Sequence, residues 1–255
     1  MASKYSKLSI VTPVYNEEPR LTEVLDRILS RKFGLELELV IVNDASTDGS
    51  IKLIEKFAAK DKRIKVLEND RNLGKSQSVK KGILATTGDL VVINDADLEY
   101  DPGDLHSFIE RFQNSDVDVI YGNRFAVPAG SQGRQNKVIY PKYWLGNTFL
   151  SFFSALFTGP RAHMWPRDMH CCYKMAKGNI YRQLAAQIKS VSSFGFDTEI
   201  TIRFSKFKQN GRHLKFEQLP VHYNPRSFAE GKKLRADTDG LKAFWEIVRF
   251  NLFEK

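Results

Sequence analysis

The sequence predicts an α/β fold: a mostly parallel central sheet with helices on both faces, followed by a C-terminal amphipathic helical extension. Three observations predict it. Short apolar, β-rich runs recur at "LSIVTP", "ELVIVND", "IKVLEN", "DLVVIND" and "VDVIYG". Helix-period segments lie between them, the alternation expected of strands joined by crossover helices. A polar cluster follows each run, and open parallel sheets gather ligands at the carboxyl ends of their strands.

In the first helical segment Leu21, Val24, Leu25, Ile28 and Leu29 form one apolar stripe; in the second, Ile51, Ile54, Phe57 and Ala58 do the same. Five clusters then fall on one edge: "PVYNEE" (13–18), "NDASTDGS" (43–50), "NDRNLGKS" (69–76), "DADLE" (95–99) and "GNR" (122–124). Beyond residue 125 a polar loop, "VPAGSQGRQNK", leads to a charge-free stretch, "YWLGNTFLSFFSALFTGP" (143–160). There Leu145, Phe149, Phe152, Phe153 and Leu156 keep helical spacing opposite Asn147, Thr148, Ser151 and Ala155. Glycine, asparagine and hydroxyls make it too polar for a convincing span. The expectation is either an interfacial helix near 140–158, flanked by Lys137, Lys142 and Arg161, or a core helix. Near the end, Leu241, Phe244, Trp245, Val248 and Leu252 share a face that suits core or membrane surface. The division expected is a catalytic domain over 1–225, then a basic arm and amphipathic helix over 226–255.

A chain of 255 residues that is 42% hydrophobic buries a sizeable core without staples. Its two cysteines, Cys171 and Cys172, are neighbours, which supports neither a disulfide framework nor a spaced metal knuckle. The N-terminal residues lack a signal-peptide h-region, so the expected location is cytoplasmic. Lysine and arginine outnumber acids 39 to 30, a net charge of +9 that favours phosphates or an anionic surface. No helix-turn-helix, zinc-finger or aromatic RNP-like pattern accompanies it, which argues against nucleic acid.

Asp95 and Asp97 follow a fully apolar strand, where carboxylates are costly unless compensated. Two carboxylates one residue apart at a strand end suit a divalent cation held on oxygens. "LGKS" (73–76) is not a phosphate-binding P-loop, since Asn69 stands where that motif needs glycine. No G-x-G-x-x-G follows the first strand, which argues against a dinucleotide oxidoreductase.

"SIVTPVYNEE", "VIVNDASTDGS", "NLGKSQSVKKGI", "VVINDADLE", "GNR" and "PVHYNPRSFAEGKKL", in this order, resemble the inverting family 2 glycosyltransferases of GT-A fold. The resemblance is greatest to the dolichyl- or polyprenyl-phosphate mannosyl- and glucosyltransferases. It implies that Pro13, Tyr15, Glu17 and Asp44 hold the donor's nucleoside and that Lys75 lies among the donor-binding residues. Asp95, Ala96 and Asp97 would meet the diphosphate and its Mg2+ or Mn2+, with Glu99, where glutamine is common, as a further metal ligand. Arg124, Arg226 and Lys232 would face donor or lipid phosphates. "RDMHCCYKM" departs from the family at Arg167 and His170; Asp168 there and Glu199 in "FGFDTEITIRF" are candidates on the acceptor side. Asp97, Arg124 and Asp168 are the expected catalytic residues.

The implied reaction moves a hexose from a nucleoside-diphosphate sugar, of GDP-mannose or UDP-glucose type, to a polyprenyl or dolichyl phosphate. The implied setting is peripheral contact with the cytoplasmic face of a membrane, with a separate membrane-anchoring subunit left open. Charge gathering on the departing diphosphate is stabilised by a cation and arginines aimed at it. The alternatives are transfer to a glycan or protein hydroxyl, with Asp168 or His170 as base, and a non-catalytic sugar-nucleotide-binding subunit at the membrane surface.

Overall fold

The computed structural model describes residues 3–126, 141–162, 168–191, 195–226 and 236–254. Lys232, Lys233 and Arg235 of the expected basic arm lie outside the described residues, as does the loop at 127–137.

The first half alternates as its periodicity predicts: β1 (Lys7–Val14), α1 (Glu18–Leu29), β2 (Glu36–Asn43), α2 (Ser50–Ala58), β3 (Ile64–Glu68), α3 (Lys75–Leu84) and β4 (Leu90–Ile93). After a 3-10 turn (Pro102–Asp104) come α4 (Leu105–Asn114), β5 (Val119–Asn123), α5 (Pro141–Ala162), β6 (Lys174–Lys177), α6 (Gly178–Ala185) and α7 (Gly195–Lys206). A hairpin of β7 (Lys208–Gln209) and β8 (Arg212–His213) precedes β9 (Phe216–Pro220). Last is α8 (Ala236–Val248), continued by a π-helical turn (Arg249–Phe253).

Seven strands form the central sheet in the order β3-β2-β1-β4-β6-β5-β9. β1 pairs in parallel with β2 and β4, β2 with β3, and β5 with β9; β6 runs antiparallel between β4 and β5. The other six strands therefore end on one edge. From β1 the chain moves first toward β2 and β3, then crosses back to β4 on the other side. A crevice opens where strand order reverses in this way, here between the turns after β1 and β4.

Leu90, Val91, Val92 and Ile93 are buried, as in a strand covered on both faces. Burial of each such side chain contributes about 1.5–3 kcal/mol. From α1 the stripe Leu21, Val24, Leu25 and Ile28 is buried. α2 flanks the half-buried edge strand β3 and fully buries only Ile54 of its predicted stripe. α3 packs closely on the sheet because residue 82 is glycine: a Cβ there would collide with Val11 Cγ1. That close packing places Lys75, at the start of α3, beside the crevice.

α5 inverts the usual logic of a globular helix. Ser151, Ser154, Ala155 and Thr158 are buried, while Leu145, Phe149, Phe152 and Leu156 are 64%, 57%, 53% and 48% exposed. Those four recur at i, i+4, i+7 and i+11 and make one outward apolar stripe. α8 and its π-turn bury Ala243, Ile247 and Phe250 and expose Leu241, Trp245, Leu252 and Phe253. Phe244 packs against Phe153 at 4.7 Å and Phe149 at 6.4 Å between ring centroids, joining the two helices. No helix among the described residues is long and apolar enough to cross a membrane.

Candidate active site

The turns after β1 and β2 are stitched together. Asn16 N–H donates to Ser46 Oγ (3.1 Å), Thr47 N–H to Asn16 Oδ1 (2.8 Å) and Glu17 N–H to Ser50 Oγ (3.1 Å). Asn16, Ala45 and Leu98 adopt φ of +53°, +56° and +61°, one in each turn after β1, β2 and β4. For alanine and leucine this left-handed backbone costs roughly 1–2 kcal/mol. Such strain persists where surrounding contacts over-determine the turn, commonly at functional sites.

Asp44 is buried and its carboxylate organises the next loop. Oδ1 accepts from Asn69 Nδ2 (2.7 Å) and Leu73 N–H (2.9 Å), and Oδ2 from Gly74 N–H (2.9 Å). Asp44 thereby ties residues 69–74, the segment leading into Lys75, to the end of β2.

The acidic corner follows β4, and cationic side chains lie against it. Lys75 Nζ donates to Asp95 Oδ2 at 2.6 Å, and Arg226 Nη2 to Asp97 Oδ2 at 3.0 Å. Arg226 also lies 3.4 Å from Glu99 Oε1 and 3.6 Å from Glu17 Oε2. Burial, then the charges of Asp95 and Glu99, push the Asp97 carboxyl up to about 7 despite Arg226. Burial pulls the Lys75 ammonium down, and Asp95 more than offsets it, so Lys75 is held above the ordinary lysine range.

A second chain of contacts runs from β5. Gly122 permits it, because a Cβ there would lie 2.7 Å from Cys171 Sγ and 3.0 Å from Val221 Cγ1. Two residues on, Arg124 donates through Nε (2.7 Å) and Nη2 (2.6 Å) to Asp168, whose side chain is fully buried. The guanidinium lies 5.0 Å from the centre of the Tyr223 ring, and Tyr223 Oη donates to Glu99 Oε2 at 2.9 Å. Glu99 Oε1 in turn accepts from Arg226 N–H at 3.1 Å. Asp168, Arg124, Tyr223, Glu99 and Arg226 thus form one continuous polar line.

The crevice accordingly unites Glu17, Lys75, Asp95, Asp97, Glu99 and Arg226, with Arg124 and Asp168 at its β5 side. Pro13 lies within β1, Tyr15 is exposed at its tip, and Ala96 is buried between the aspartates. Glu199 is buried on α7, where its carboxylate pairs with Arg203 and accepts from Lys189 and Ser190 N–H. Burial pushes His170 down to about 4, leaving a poor base at neutral pH. Cys171 and Cys172 are free and buried. Sequence reasoning missed Tyr223; the signal available was its place three residues before Arg226 in "HYNPR". It also missed the buried pair Lys174–Asp197 (2.5 Å), for which periodicity gives no signal.

The donor set of the acidic corner fits a divalent cation: all oxygens, all carboxylate, with Lys75 and Arg226 standing where positive charge is required. In the present arrangement Glu99 is directed to Tyr223 and Arg226, and the described residues form no ready cluster of three metal-ligating side chains. Asp95 and Asp97 are therefore the principal ligand candidates among these carboxylates.

Residues 9–181 match the family described as Glycosyl transferase family 2. The chain belongs to that family. Among its relatives are the dolichol-phosphate mannosyltransferase of Pyrococcus furiosus, 33% identical over 47% of this chain and 33% of that protein, and the dodecaprenyl-phosphate galacturonate synthase of Rhizobium johnstonii, 25% identical over 70% and 50%. A third is the undecaprenyl-phosphate 4-deoxy-4-formamido-L-arabinose transferase of Proteus mirabilis, 36% identical over 40% and 32%. The matched region spans at most about half the length of these relatives. Glucosyl-3-phosphoglycerate synthase of Mycobacterium tuberculosis, solved with Mn2+ and UDP, shares the fold at a TM-score of 0.62 and 17% identity, covering 96% of this chain and 80% of its own. The GT-A architecture expected from the sequence is thereby established.

Proposed function

We propose that this family 2 protein is an inverting hexosyltransferase that moves a sugar from a GDP- or UDP-linked donor to a polyprenyl or dolichyl phosphate at a membrane surface. Residues 1–225 would form the catalytic domain, and 226–255 the basic arm and amphipathic helix. The observation that carries the reading is the charge-free stripe Leu145, Phe149, Phe152 and Leu156, turned outward beside Leu241 and Trp245. An apolar face with tryptophan and flanking Lys242 and Arg249 suits the headgroup boundary of a bilayer. Several relatives bear names that include a polyprenyl-phosphate or dolichol-phosphate acceptor.

The chemistry of the crevice agrees. Asp95 and Asp97 would hold Mg2+ or Mn2+, which when bound neutralises negative charge on the donor diphosphate. Lys75, Arg124 and Arg226 bring fixed positive charge to the same edge, where the departing diphosphate becomes more anionic. A phosphate monoester acceptor is already an anionic nucleophile and requires little base assistance. That suits a site where Asp168 is bound to Arg124 and His170 is a poor base. It weighs against the hydroxyl-acceptor alternative.

The test is transfer of radiolabelled sugar from GDP-mannose and UDP-glucose to short polyprenyl phosphates, with Mn2+ and vesicles present. Label in the solvent-extractable lipid is the expected result. Label on a soluble glycan instead would replace the acceptor, and donor binding without turnover would leave a non-catalytic subunit.

A further inference from the structure

Arg226 meets carboxylates from two different turns. Its Nη2 is 3.0 Å from Asp97 and its Nε 3.4 Å from Glu99, both after β4, while Nη1 is 3.6 Å from Glu17 after β1. The side chain is 16% exposed, so it is enclosed by these acids rather than spread on the surface. Yet the fit is poor. Charge-assisted hydrogen bonds of a guanidinium run about 2.7–2.9 Å and are commonly bidentate. Here no carboxylate is gripped by two side-chain nitrogens, and the buried Nη1 lacks a hydrogen-bond partner. Arg124 on Asp168 shows what a satisfied arginine looks like in the same molecule, with Nε at 2.7 Å and Nη2 at 2.6 Å from one carboxylate.

The geometry points to Arg226 as an internal counter-ion of Asp97, which a divalent cation displaces when it binds and which the donor diphosphate then receives. This rests on the metal-dependent donor site proposed above and adds an order of events to it. A guanidinium and a cation cannot share one carboxylate edge at contact distance, so each opposes the other. Free cation must therefore work against the Arg226 contacts and binds weakly. A diphosphate offers the displaced guanidinium a new anionic partner and removes that opposition. Cation and diphosphate consequently bind with positive coupling, and linkage makes the coupling reciprocal. Glu99 is the pivot: its contacts with Tyr223 Oη and Arg226 N–H keep the backbone beside the corner while the side chain turns.

Titration with Mn2+, followed by calorimetry and by the loss of the free-ion EPR signal at pH 8, tests this without turnover. Wild-type protein is expected to bind Mn2+ weakly alone and at least about tenfold more tightly with UDP or GDP present. Arg226→Gln is expected to bind Mn2+ alone about tenfold more tightly than wild type and to gain less from the diphosphate. Arg226→Lys keeps the charge but spans fewer acids, so it should gain a smaller factor; it decides the matter if the glutamine variant does not fold. Arg20→Gln removes a charge that lies 3.6 Å from Glu17 without contacting Asp97, and should leave Mn2+ affinity within about twofold. Unchanged or weaker Mn2+ binding by the Arg226 variants, or an equal gain in Arg20→Gln, overturns the counter-ion role alone. Absence of Mn2+ binding in every protein, with either diphosphate present, overturns the donor-site reading as well.

Discussion

Arg124 and Asp168 are joined by three hydrogen bonds, from the Arg124 backbone N–H (3.0 Å), Nε (2.7 Å) and Nη2 (2.6 Å), onto a carboxylate with no exposed surface. Breaking a buried pair strands the surviving charge, at a cost of roughly 3–5 kcal/mol. Asp168→Asn is therefore expected to lower the unfolding free energy by about 3 kcal/mol and to reduce turnover by misplacing Arg124. Denaturant unfolding and a pH–rate profile check this together. A profile that keeps its acid limb marks a positioning residue; loss of that limb with stability intact would make Asp168 a base.

Asp44 offers a second test of positioning against direct contact. Its two oxygens accept three N–H groups from residues 69–74, and an asparagine retains only one oxygen for them. Leaving Gly74 N–H unsatisfied costs about 1–3 kcal/mol. Asp44→Asn should lower the melting temperature and speed hydrogen exchange of the 69–74 amides even without nucleotide. A variant of wild-type stability that has lost only nucleotide affinity would give Asp44 to the donor instead.

How far the sequence reveals this molecule depends on the range of the interaction. Periodicity depends on neighbours a few residues apart, so β1 to β4, their helices and the polar edge were legible. The strand β6 was not: "KMAK" is four residues with lysine at both ends, and Lys174 is buried because Asp197 meets it across the fold. α5 was legible as an amphipathic helix, but the residues alone left open which face turns outward. Its hydroxyls are buried in a fold where α5 packs against α7 and α8, partners known only once the chain is folded. The acidic corner was legible as chemistry. Its contact with Arg226, 129 residues from Asp97, was not: the resemblance implied only that Arg226 faces donor or lipid phosphates.

The Asp97 carboxyl gives a pH dependence with a definite sign. Its folded value is about 7 against an unfolded 3.8, because burial and the charges of Asp95 and Glu99 oppose ionisation. A carboxyl raised in the folded state contributes stability that is complete below pH 3.8 and lost as pH rises through about 7. Metal-free protein should thus lose stability at this site across that window, and Asp97→Asn should be stabilised relative to wild type at pH 8 and less so at pH 5. Cation binding requires the ionised form, so Mn2+ affinity should weaken by up to about tenfold per unit below pH 7. Melting curves with and without Mn2+, from pH 5 to 8.5, check both effects. A substitution that stabilises the fold while abolishing turnover is the signature of charge kept for function.

The apolar platform gives the last test. Phe149, Phe152 and Trp245 are 57%, 53% and 61% exposed and stand outside the buried core, although Phe149 also stacks on Phe153 and Phe244. Transferring a large apolar side chain from water into an apolar medium contributes about 1.5–3 kcal/mol when burial is full. Phe149→Ser with Phe152→Ser should therefore weaken binding to vesicles by at least about tenfold even at partial insertion. Donor binding in solution should be unchanged, because neither residue is among the side chains that meet around Asp95 and Asp97. Vesicle flotation over a range of anionic lipid content, beside nucleotide titration, separates the contributions: the +9 charge governs the salt-sensitive part and the phenylalanines the salt-resistant part. If the double variant floats with vesicles like wild type at high salt, the platform serves some other contact and the proposed membrane setting loses the observation that carries it.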